Sequence, residues 1–377
     1  MTIDALPGET SDSHVFLPSP SPVRFLDDAG GEVDEHGSRR PPAMERLKEA
    51  YRAMVLARRF DAQAMALAKQ GRIAAYPSSL GQEACQISVA FALRPTDWLF
   101  PTYRDGNALL TRGIDPLDVL VPVRGYQHCG YDPYVHRCAP MATPLATQAL
   151  HGAGLATAAR CRGEDTVALV LLGDGATSEG DFHEALTFAG VFRAPVVFVI
   201  QNNQFAISVP RARQSAAPTL AHKGIGYGIA AEQADGNDVL AVLAVLDEAV
   251  AQAREGGGPR LVELHTYRMG PHTSTDDPGR YREAALTESW RRRDPIDRLA
   301  AYLRRHGGLD DAAQAGLDLD ADALAATVRA GVATPPVVAP TEVIDHVYAA
   351  PPRSLAEQRA ALVAELAASD VAERGTR

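Results

Sequence analysis

Two continuous apolar runs, separated by a segment whose apolar residues have helical spacing, predict a β-α-β unit in the middle of the sequence. The run from Thr166 to Leu172 is apolar and has turn residues on both sides, as expected for a buried strand. From Ser178 to Gly190 the apolar residues recur at helical spacing, and a second apolar run follows from Val196 to Ile200. Two strands joined by a helix pair in parallel, so we expect a parallel sheet.

The rest of the pattern predicts helices on both sides of this unit and further strands. Ala or Gly occupies most positions of the predicted helix Leu145–Cys161, which would let another element approach it closely. After Arg282 the chain reads as helical. Helices are predicted over 43–70, Gly81–Leu93, Leu145–Cys161 and Asp238–Arg254, and strands over Asp97–Pro101 and Arg260–Tyr267.

These elements predict one α/β domain with extensions at both ends. Residues 1–42 are rich in Pro, Ser, Asp and Gly, and we expect a poorly ordered or wrapping arm. The α/β domain covers 43–350, and 351–377 form a helical extension at the C-terminus.

Candidate chemistry lies at the ends of the two central strands. Gly173-Asp174-Gly175 follows the first strand, and Asn203 follows the second one after a 26-residue spacer and Asn202. Such side chains meet at the carboxyl edge of a sheet, where open α/β sheets bind ligands. A carboxylate, a carboxamide oxygen and a backbone carbonyl suit Mg²⁺ that also binds phosphates. Backbone N–H groups of Gly175 and Ala176 at a helix start can bind an anion.

Composition excludes several other classes of function. The chain has 377 residues, 46% of them hydrophobic, and a net charge of −10, which argues against a nucleic-acid or membrane partner. No apolar run could span a bilayer, and the first residues do not resemble a secretion signal, so we expect a cytoplasmic protein. Cys129 and Cys138, with His128 and His136 nearby, raise the alternative of zinc, but their spacing matches no standard zinc site.

Several segments, in this order, together resemble the α subunit of thiamine-diphosphate-dependent 2-oxo acid dehydrogenases. The resemblance covers about 45–350 and is most specific in the Gly-Asp-Gly to Asn-Asn unit and in the PHTSTDDP loop. The segments are GRIAAYPSSLGQEA (71–84), FPTYRDG (100–106), TPLATQ (143–148), the unit described above, YGIAAEQADGND (227–238) and TYRMGPHTSTDDPGRYR (266–282).

The resemblance implies the thiamine-diphosphate-binding fold, with a parallel sheet flanked by helices, and a role for each matching residue. Mg²⁺ would be bound by Asp174, the Asn203 side chain and the Phe205 carbonyl oxygen. His272 and Tyr103 would lie beside the reacting centre. The residues implied to contact the cofactor are Tyr103, Arg104, Thr143, Leu145, Gly173, Asp174, Gly175, Ala176, Glu179, Asn203, Phe205 and His272.

Each assignment has a plainer alternative, and two positions depart from the family pattern. Leu145 could be ordinary core, and His272 a solvated loop residue. Gln201 stands where some relatives carry an arginine that reaches the diphosphate, so cofactor affinity is weaker or another basic residue substitutes. Thr273 stands where mitochondrial relatives carry a phosphorylatable serine, and no kinase control is inferred from it.

The resemblance also implies partners, because no second α/β domain is predicted to hold the pyrimidine half of the cofactor. A β subunit would supply that half in an α₂β₂ heterotetramer. The reaction would be oxidative decarboxylation of a 2-oxo acid, with acyl transfer to a lipoyl group on an acyltransferase. The loop Met269–Arg282 has few apolar anchors, so we expect it to be mobile without cofactor and to order over it.

Substrate and class leave alternatives open. The segments TPLATQ and 131–133 resemble bacterial branched-chain enzymes, and a pyruvate or acetoin enzyme is the rival within the family. A non-catalytic paralogue is a rival of another class, and the intact Asp174, Asn203, Arg104 and His272 count against it. A different Mg²⁺-nucleotide binder lacks support because neither GxxxxGK[ST] nor GxGxxG is present.

Overall fold

The computed structural model describes residues 16–126, 128–334 and 338–375, and its centre is a five-stranded parallel sheet. The strand order is β3-β4-β5-β9-β8, and every neighbouring pair is parallel. The five strands are β3 (Trp98–Phe100), β4 (Ala168–Gly173), β5 (Val196–Asn202), β8 (Ala230–Asp235) and β9 (Arg260–His265). The predicted parallel sheet flanked by helices is therefore confirmed.

Small antiparallel pairs and a series of helices complete the fold. The pairs are β1 (Arg24–Leu26) with β2 (Glu32–Glu35), and β6 (Phe205–Ala206) with β7 (Val209–Pro210). The helices are α1 (Met44–Lys69), α2 (Glu83–Ala92), α3 (Gly106–Thr111), α4 (Pro116–Val119), α5 (Pro133–His136), α6 (Thr147–Arg162), α7 (Gly180–Val191), α8 (Val239–Gln252), α9 (Ala284–Arg291), α10 (Pro295–Arg305), α11 (Asp311–Ala333), α12 (Glu342–Asp345) and α13 (Arg353–Gly375).

Both faces of the sheet are covered, which explains the continuously apolar strands. Leu169 and Leu171 of β4 belong to the core that contains α1, α2 and α8. Val170 and Leu172 alternate with them and pack on the opposite face with α6 and α7. A strand buried on both sides reads as an uninterrupted apolar run, because successive side chains point to opposite faces.

The small residues of α6 allow the close approach that the sequence predicts. A Cβ placed on Gly152 would lie 2.3 Å from a methyl group of Val170 on β4, so the helix rests directly on the strand. The helix begins at Thr147, later than predicted, because Ala146 has a positive φ of 65°. Leu145 therefore belongs to the loop before the helix.

The described part of the N-terminal arm, 16–42, lies against the main sheet. Val23 forms a parallel bridge to Ala234 of the edge strand β8, and Ser19 donates to the Glu232 carboxylate at 2.9 Å. The backbone N–H groups of Phe25 and Leu26 both donate to Asp238. Residues 1–15 lie outside the described residues. The division into arm, domain and C-terminal extension stays a prediction.

Candidate active site at the carboxyl edge of the sheet

The predicted site residues meet in one cavity of about 420 Å³ at the carboxyl ends of β4 and β5. Gly173 of β4 pairs with Gln201 of β5, so the residues that follow the two strands begin side by side. Of the predicted residues, Thr143 alone does not line this cavity. The residues that do are Tyr103, Arg104, Leu145, Gly173, Asp174, Gly175, Ala176, Glu179, Asn203, Phe205 and His272.

The turn after β4 begins within the Gly173-Asp174-Gly175 segment. Asp174 to Ser178 form a short 3₁₀ helix, and Gly175 and Ala176 lie in its first turn. A Cβ on Gly175 would approach the Ala206 Cβ to 2.7 Å, so glycine is needed where this turn meets β6. The Thr177 hydroxyl donates to the Asp174 carbonyl at 2.8 Å and closes the turn.

Asp174 is a buried carboxylate with a neutral hydrogen-bond donor. It is 1% exposed, and the Gln214 side-chain nitrogen donates to its Oδ2 at 2.8 Å. Burial raises the pKa of Asp174, and the Gln214 hydrogen bond and the Arg268 charge oppose that rise. A carboxylate in such a place is stabilised by a bound cation.

Asn203 follows β5 directly, Phe205 begins β6, and both are buried. The Asn203 side-chain oxygen accepts a long 3.4 Å bond from the Phe205 N–H. The Phe205 carbonyl oxygen accepts from the Arg268 guanidinium at 3.2 Å. Asp174, Asn203 and Phe205 line one cavity, and a carboxylate, an amide oxygen and a carbonyl are the kinds of ligand that a hard divalent cation takes.

Arg104 and His272 form a hydrogen-bonded pair that lines the same cavity. One guanidinium nitrogen of Arg104 donates to the Ser78 carbonyl at 2.7 Å. The other contacts His272 Nδ1 at 3.0 Å and the His272 carbonyl at 2.9 Å. Because a guanidinium only donates, Nδ1 must be the acceptor and the ring proton is on Nε2.

The surroundings of His272 keep its imidazole neutral. Burial, followed by the charges of Arg104 and Arg268, lowers the pKa of His272 to about 4. The Asp276 carboxylate accepts the His272 backbone N–H at 2.7 Å and opposes the shift. His272 is half-buried, and two guanidinium groups contact its Nδ1, Arg104 at 3.0 Å and Arg268 at 3.4 Å.

Leu145 lines the cavity, and Gln201 lies buried at its floor within a set of side-chain hydrogen bonds. Leu145 is 39% exposed rather than buried in the core. Gln201 is buried, and its amide nitrogen donates to Asp105 at 2.7 Å. Its oxygen accepts from the side chains of Gln82 and Gln86. Gln201 thus belongs to a buried polar network with Gln82, Gln86 and Asp105.

Sequence reasoning missed several cavity residues, and Arg213 and Gln214 are two polar ones among them. Arg213 is exposed and lines the cavity, and it makes no hydrogen bond or ion pair within the described part of the chain. Both residues follow Asn203 in a polar loop without periodicity. No spacing or motif marks them, and only the folding of this loop back over the 3₁₀ turn brings them to the site.

A second cavity of about 420 Å³ adjoins the first one and is lined mainly by apolar side chains. The residues shared as a common wall are Tyr103, Arg104, Ala142, Leu145, Ile207 and His272. Thr143 lines the second cavity, so this predicted cofactor residue lies on the far side of the wall. The other lining residues include Tyr76, Pro77, Val119, Leu120, Val123 and Met141.

The loop Met269–Arg282 is better anchored than its composition predicts. Arg282 donates to the backbone carbonyls of Arg268, Met269 and Gly270. Tyr281 packs against Phe205 with ring centroids 5.9 Å apart and donates to Asp276 at 2.5 Å. The backbones of Tyr76 and Ser274 also bond across at 2.9 Å. The mobility of the loop without cofactor stays a prediction.

Within the described ranges, no three His, Cys, Asp or Glu side chains converge as metal ligands, so the cysteine and histidine segment at 128–138 forms no such cluster. No helix in the described part of the chain is long and apolar enough to cross a membrane.

Comparisons with known proteins agree with this geometry. The family model described as "Dehydrogenase E1 component" matches residues 51–325. The chain is 46% identical over 349 residues to the 3-methyl-2-oxobutanoate dehydrogenase subunit alpha of Mycobacterium tuberculosis, covering 93% of this chain and 95% of that relative.

Pyruvate enzymes are also similar, over a shorter part of the chain. The pyruvate dehydrogenase E1 component subunit alpha of Acholeplasma laidlawii is 42% identical over 264 residues, covering 70% of this chain and 76% of that relative. The Bacillus subtilis subunit of the same name is 39% identical over 279 residues, with coverage of 74% and 75%. The chain therefore belongs to the dehydrogenase E1 component family.

Proposed function

We propose that this chain is the α subunit of a thiamine-diphosphate-dependent dehydrogenase that decarboxylates branched-chain 2-oxo acids. The observation that carries this proposal is the pair of adjoining cavities with a common wall. The polar cavity is the one at the ends of β4 and β5 that contains Asp174 and Asn203, and the apolar cavity is the one lined by Val119, Leu120 and Met141. The greater coverage and identity of the 3-methyl-2-oxobutanoate dehydrogenase relative, against the pyruvate dehydrogenase relatives, support the branched-chain substrate.

Mg²⁺ would be bound by Asp174, Asn203 and the Phe205 carbonyl oxygen. The chemistry of these donors fits, because Mg²⁺ prefers oxygen ligands and usually keeps several waters and substrate phosphates. Asp174 would supply the only carboxylate, and its burial gives it a strong need for a counter-charge. Phe205 would exchange the Arg268 hydrogen bond for the cation.

The diphosphate would lie between the first turn after β4 and the cationic wall. Gly175 and Ala176 offer backbone N–H groups, and Arg104 offers a planar guanidinium that suits phosphate oxygens. His272 would donate from Nε2, since Nδ1 already accepts from Arg104. Arg213 is our candidate for the basic residue that substitutes for the arginine missing at Gln201.

The remaining cavity residues would position the reacting part of the cofactor. Leu145 projects from the common wall and would support the bent shape of the molecule, with Gly173, Glu179 and Thr143 around it. When bound, thiamine diphosphate supplies the electron sink for loss of CO₂ from a 2-oxo acid. Tyr103 and His272 face both cavities, and a neutral His272 can donate a hydrogen bond from Nε2 to the substrate.

The apolar cavity would receive the side chain of the substrate. Val119, Leu120, Val123 and Met141 give it aliphatic walls, which favour a branched hydrocarbon over the single methyl group of pyruvate. A pyruvate or acetoin enzyme remains the second candidate, supported by the pyruvate dehydrogenase relatives.

A β subunit and a lipoyl-bearing acyltransferase would complete the enzyme. The described residues form one parallel sheet and two small antiparallel pairs, so a second chain would have to bind the pyrimidine half. We propose an α₂β₂ heterotetramer whose lipoyl partner meets the loop Met269–Arg282. The cytoplasm is the proposed location, in keeping with four free cysteines.

The test is an activity assay of the full chain, with and without a β subunit from the same organism. Each preparation receives thiamine diphosphate, Mg²⁺, an artificial electron acceptor and either pyruvate or the 2-oxo acid of valine, leucine or isoleucine. We expect turnover only in the complex and a higher kcat/KM for the branched acids. Turnover by the chain alone would contradict the split site, and an equal or higher kcat/KM for pyruvate would favour the second candidate.

A further inference from the structure

Gln214 contacts Asp174 from a loop that carries no recognisable motif. It follows the short 3₁₀ helix Arg211–Arg213 and lines the polar cavity. Its amide nitrogen donates to Asp174 Oδ2 at 2.8 Å and to the Val209 carbonyl at 3.0 Å. Its amide oxygen Oε1 is buried and makes no hydrogen bond within the described residues.

This contact leaves the two oxygens of the Asp174 carboxylate unequal. Oδ2 accepts the Gln214 amide, so the other oxygen is the one left for a cation. The amide is neutral, so it orients the carboxylate without neutralising its charge. The Gln214 backbone is itself fixed by a 2.9 Å bond from its N–H to the Arg211 carbonyl, which limits how far the side chain can follow a moving carboxylate.

Metal ions differ in how they use a carboxylate. Mg²⁺ demands near-octahedral geometry, whereas Ca²⁺ takes six to eight oxygens and often binds both oxygens of one carboxylate. We propose that Gln214 is a positioning residue that holds Asp174 as a one-oxygen ligand and thereby makes the site prefer Mg²⁺ to Ca²⁺. This inference rests on the proposed function. The unpartnered Oε1 is placed to accept a hydrogen bond from a water that Mg²⁺ retains.

A purely structural role for Gln214 is the competing explanation. The loop that carries it already has another anchor, because Arg211 donates to the carbonyls of Ala217 and Pro218. A residue that only fixed this loop would change binding with every metal to the same degree. The ratio of Mg²⁺-supported to Ca²⁺-supported binding therefore separates the two roles.

The experiment is calorimetric titration of thiamine diphosphate into the full chain purified with its partner chain, at saturating Mg²⁺ and again at saturating Ca²⁺. The variants are Gln214→Met, which removes both polar atoms, and Gln214→Glu, which keeps the size and removes the donor. The control is Gln252→Met, because Gln252 also donates to a carboxylate, that of Glu248 at 3.1 Å, but outside the cavity.

We expect Mg²⁺-supported affinity to fall about 10–100-fold in Gln214→Met, the usual effect of losing a partner that orients a metal ligand. Ca²⁺-supported affinity should fall several-fold less, and Gln214→Glu should shift the ratio further toward Ca²⁺ by adding a charged oxygen. Gln252→Met should match the wild type. If the melting temperature shows that Gln214→Met is unfolded, Gln214→Glu carries the comparison.

An equal loss with both metals, or no loss in either variant, would overturn the positioning role. A wild-type complex that binds thiamine diphosphate with neither metal would overturn the proposed function and this role with it, so the two failures are distinguishable.

Discussion

The two cavities have the same volume but are built in different ways. The polar cavity lies where β4 and β5 end, and most of its residues follow those strands directly or precede a helix. The apolar cavity is lined by side chains from separate loops and short helices, among them Pro77, Leu120 and Met141. The end of a strand can be located from the sequence, so the residues that follow it can be assigned to the site. The packing of separate loops leaves no such pattern in the sequence. The chemistry of the site can therefore be predicted from sequence far better than its substrate.

The largest expected effect is at the metal end of the polar cavity. Asp174→Ala should lower the affinity for thiamine diphosphate in the presence of Mg²⁺ by more than about 100-fold, because losing an outer partner of a ligand alone typically costs 10–100-fold. The melting temperature should change little or rise, since an unpaired buried carboxylate is removed. Calorimetry of the α–β complex measures the affinity.

Asp181→Ala is the matched control, since Asp181 lies on α7 and lines neither cavity. An Asp174→Ala complex that binds the cofactor as tightly as wild type in Mg²⁺ would remove the metal assignment from the polar cavity.

The next effect sharpens the contrast on the apolar side. Met141→Phe should reduce kcat/KM for the branched-chain acids about tenfold or more relative to pyruvate, because each methylene in an apolar pocket contributes about 1–3 kcal/mol. Met141 lines only the apolar cavity, so the affinity for cofactor should stay unchanged. Steady-state kinetics with both substrates provide the ratio.

Leu319→Phe serves as its control, since Leu319 is exposed on α11. A fall of equal size for pyruvate and the branched acids would mean that the apolar cavity does not hold the substrate side chain.

The wall shared by the two cavities predicts a pH effect. His272 has a pKa of about 4 in the folded chain and an ordinary value of about 6.5 when unfolded. Its neutral form therefore stabilises the fold above pH 6.5, and that contribution is lost as the pH falls toward 4. Binding of a diphosphate should raise the pKa of His272, because the anion offsets the charges of Arg104 and Arg268.

Proton uptake on binding follows from this shift and should be greatest between pH 4 and 6.5. Calorimetry in buffers of different ionisation enthalpy measures it, up to about one proton per site. His272→Asn should lose this uptake, while His151→Asn, on the exposed side of α6, should keep it. Identical uptake in wild type and His272→Asn would show that His272 does not face the diphosphate.

The smallest expected effect concerns the loop Met269–Arg282. Arg282→Ala removes a side chain that donates to three carbonyls, so limited proteolysis within the loop should accelerate several-fold in the absence of cofactor. Thiamine diphosphate with Mg²⁺ should slow cleavage in the wild type. Equal cleavage with and without cofactor would mean that the loop does not order over the site.

The difference between the cavities also marks what the sequence could reveal. The β-α-β unit was predictable because a strand buried on both faces is continuously apolar, as from Leu169 to Leu172, while the apolar residues of a helix recur with a period of 3.6. The Asp174 and Asn203 pair was predictable because parallel strands end at one edge. Arg213 and Gln214 were not, since their positions depend on how a non-periodic loop folds back over the turn.

The loop Met269–Arg282 shows a second reason for such misses. Its composition suggests weak anchoring, because propensity and apolar content ignore hydrogen bonds from distant side chains. Arg282 and Tyr281 act through backbone carbonyls and a carboxylate, and no sequence pattern reports which ones. The same holds for Gln201, whose partners Gln82, Gln86 and Asp105 come from other segments.

The common wall has a consequence for divergence within the family. Tyr103, Arg104, Ala142, Leu145, Ile207 and His272 serve both cavities, while the aliphatic side chains beyond them touch only one. Mutations at Val123 or Met141 would accordingly change substrate specificity without changing cofactor binding. New substrate specificities can then evolve step by step through variants that stay active. Changes in the common wall would affect cofactor binding and substrate binding at once. We therefore expect substitutions to accumulate slowly in the wall and faster in the aliphatic lining.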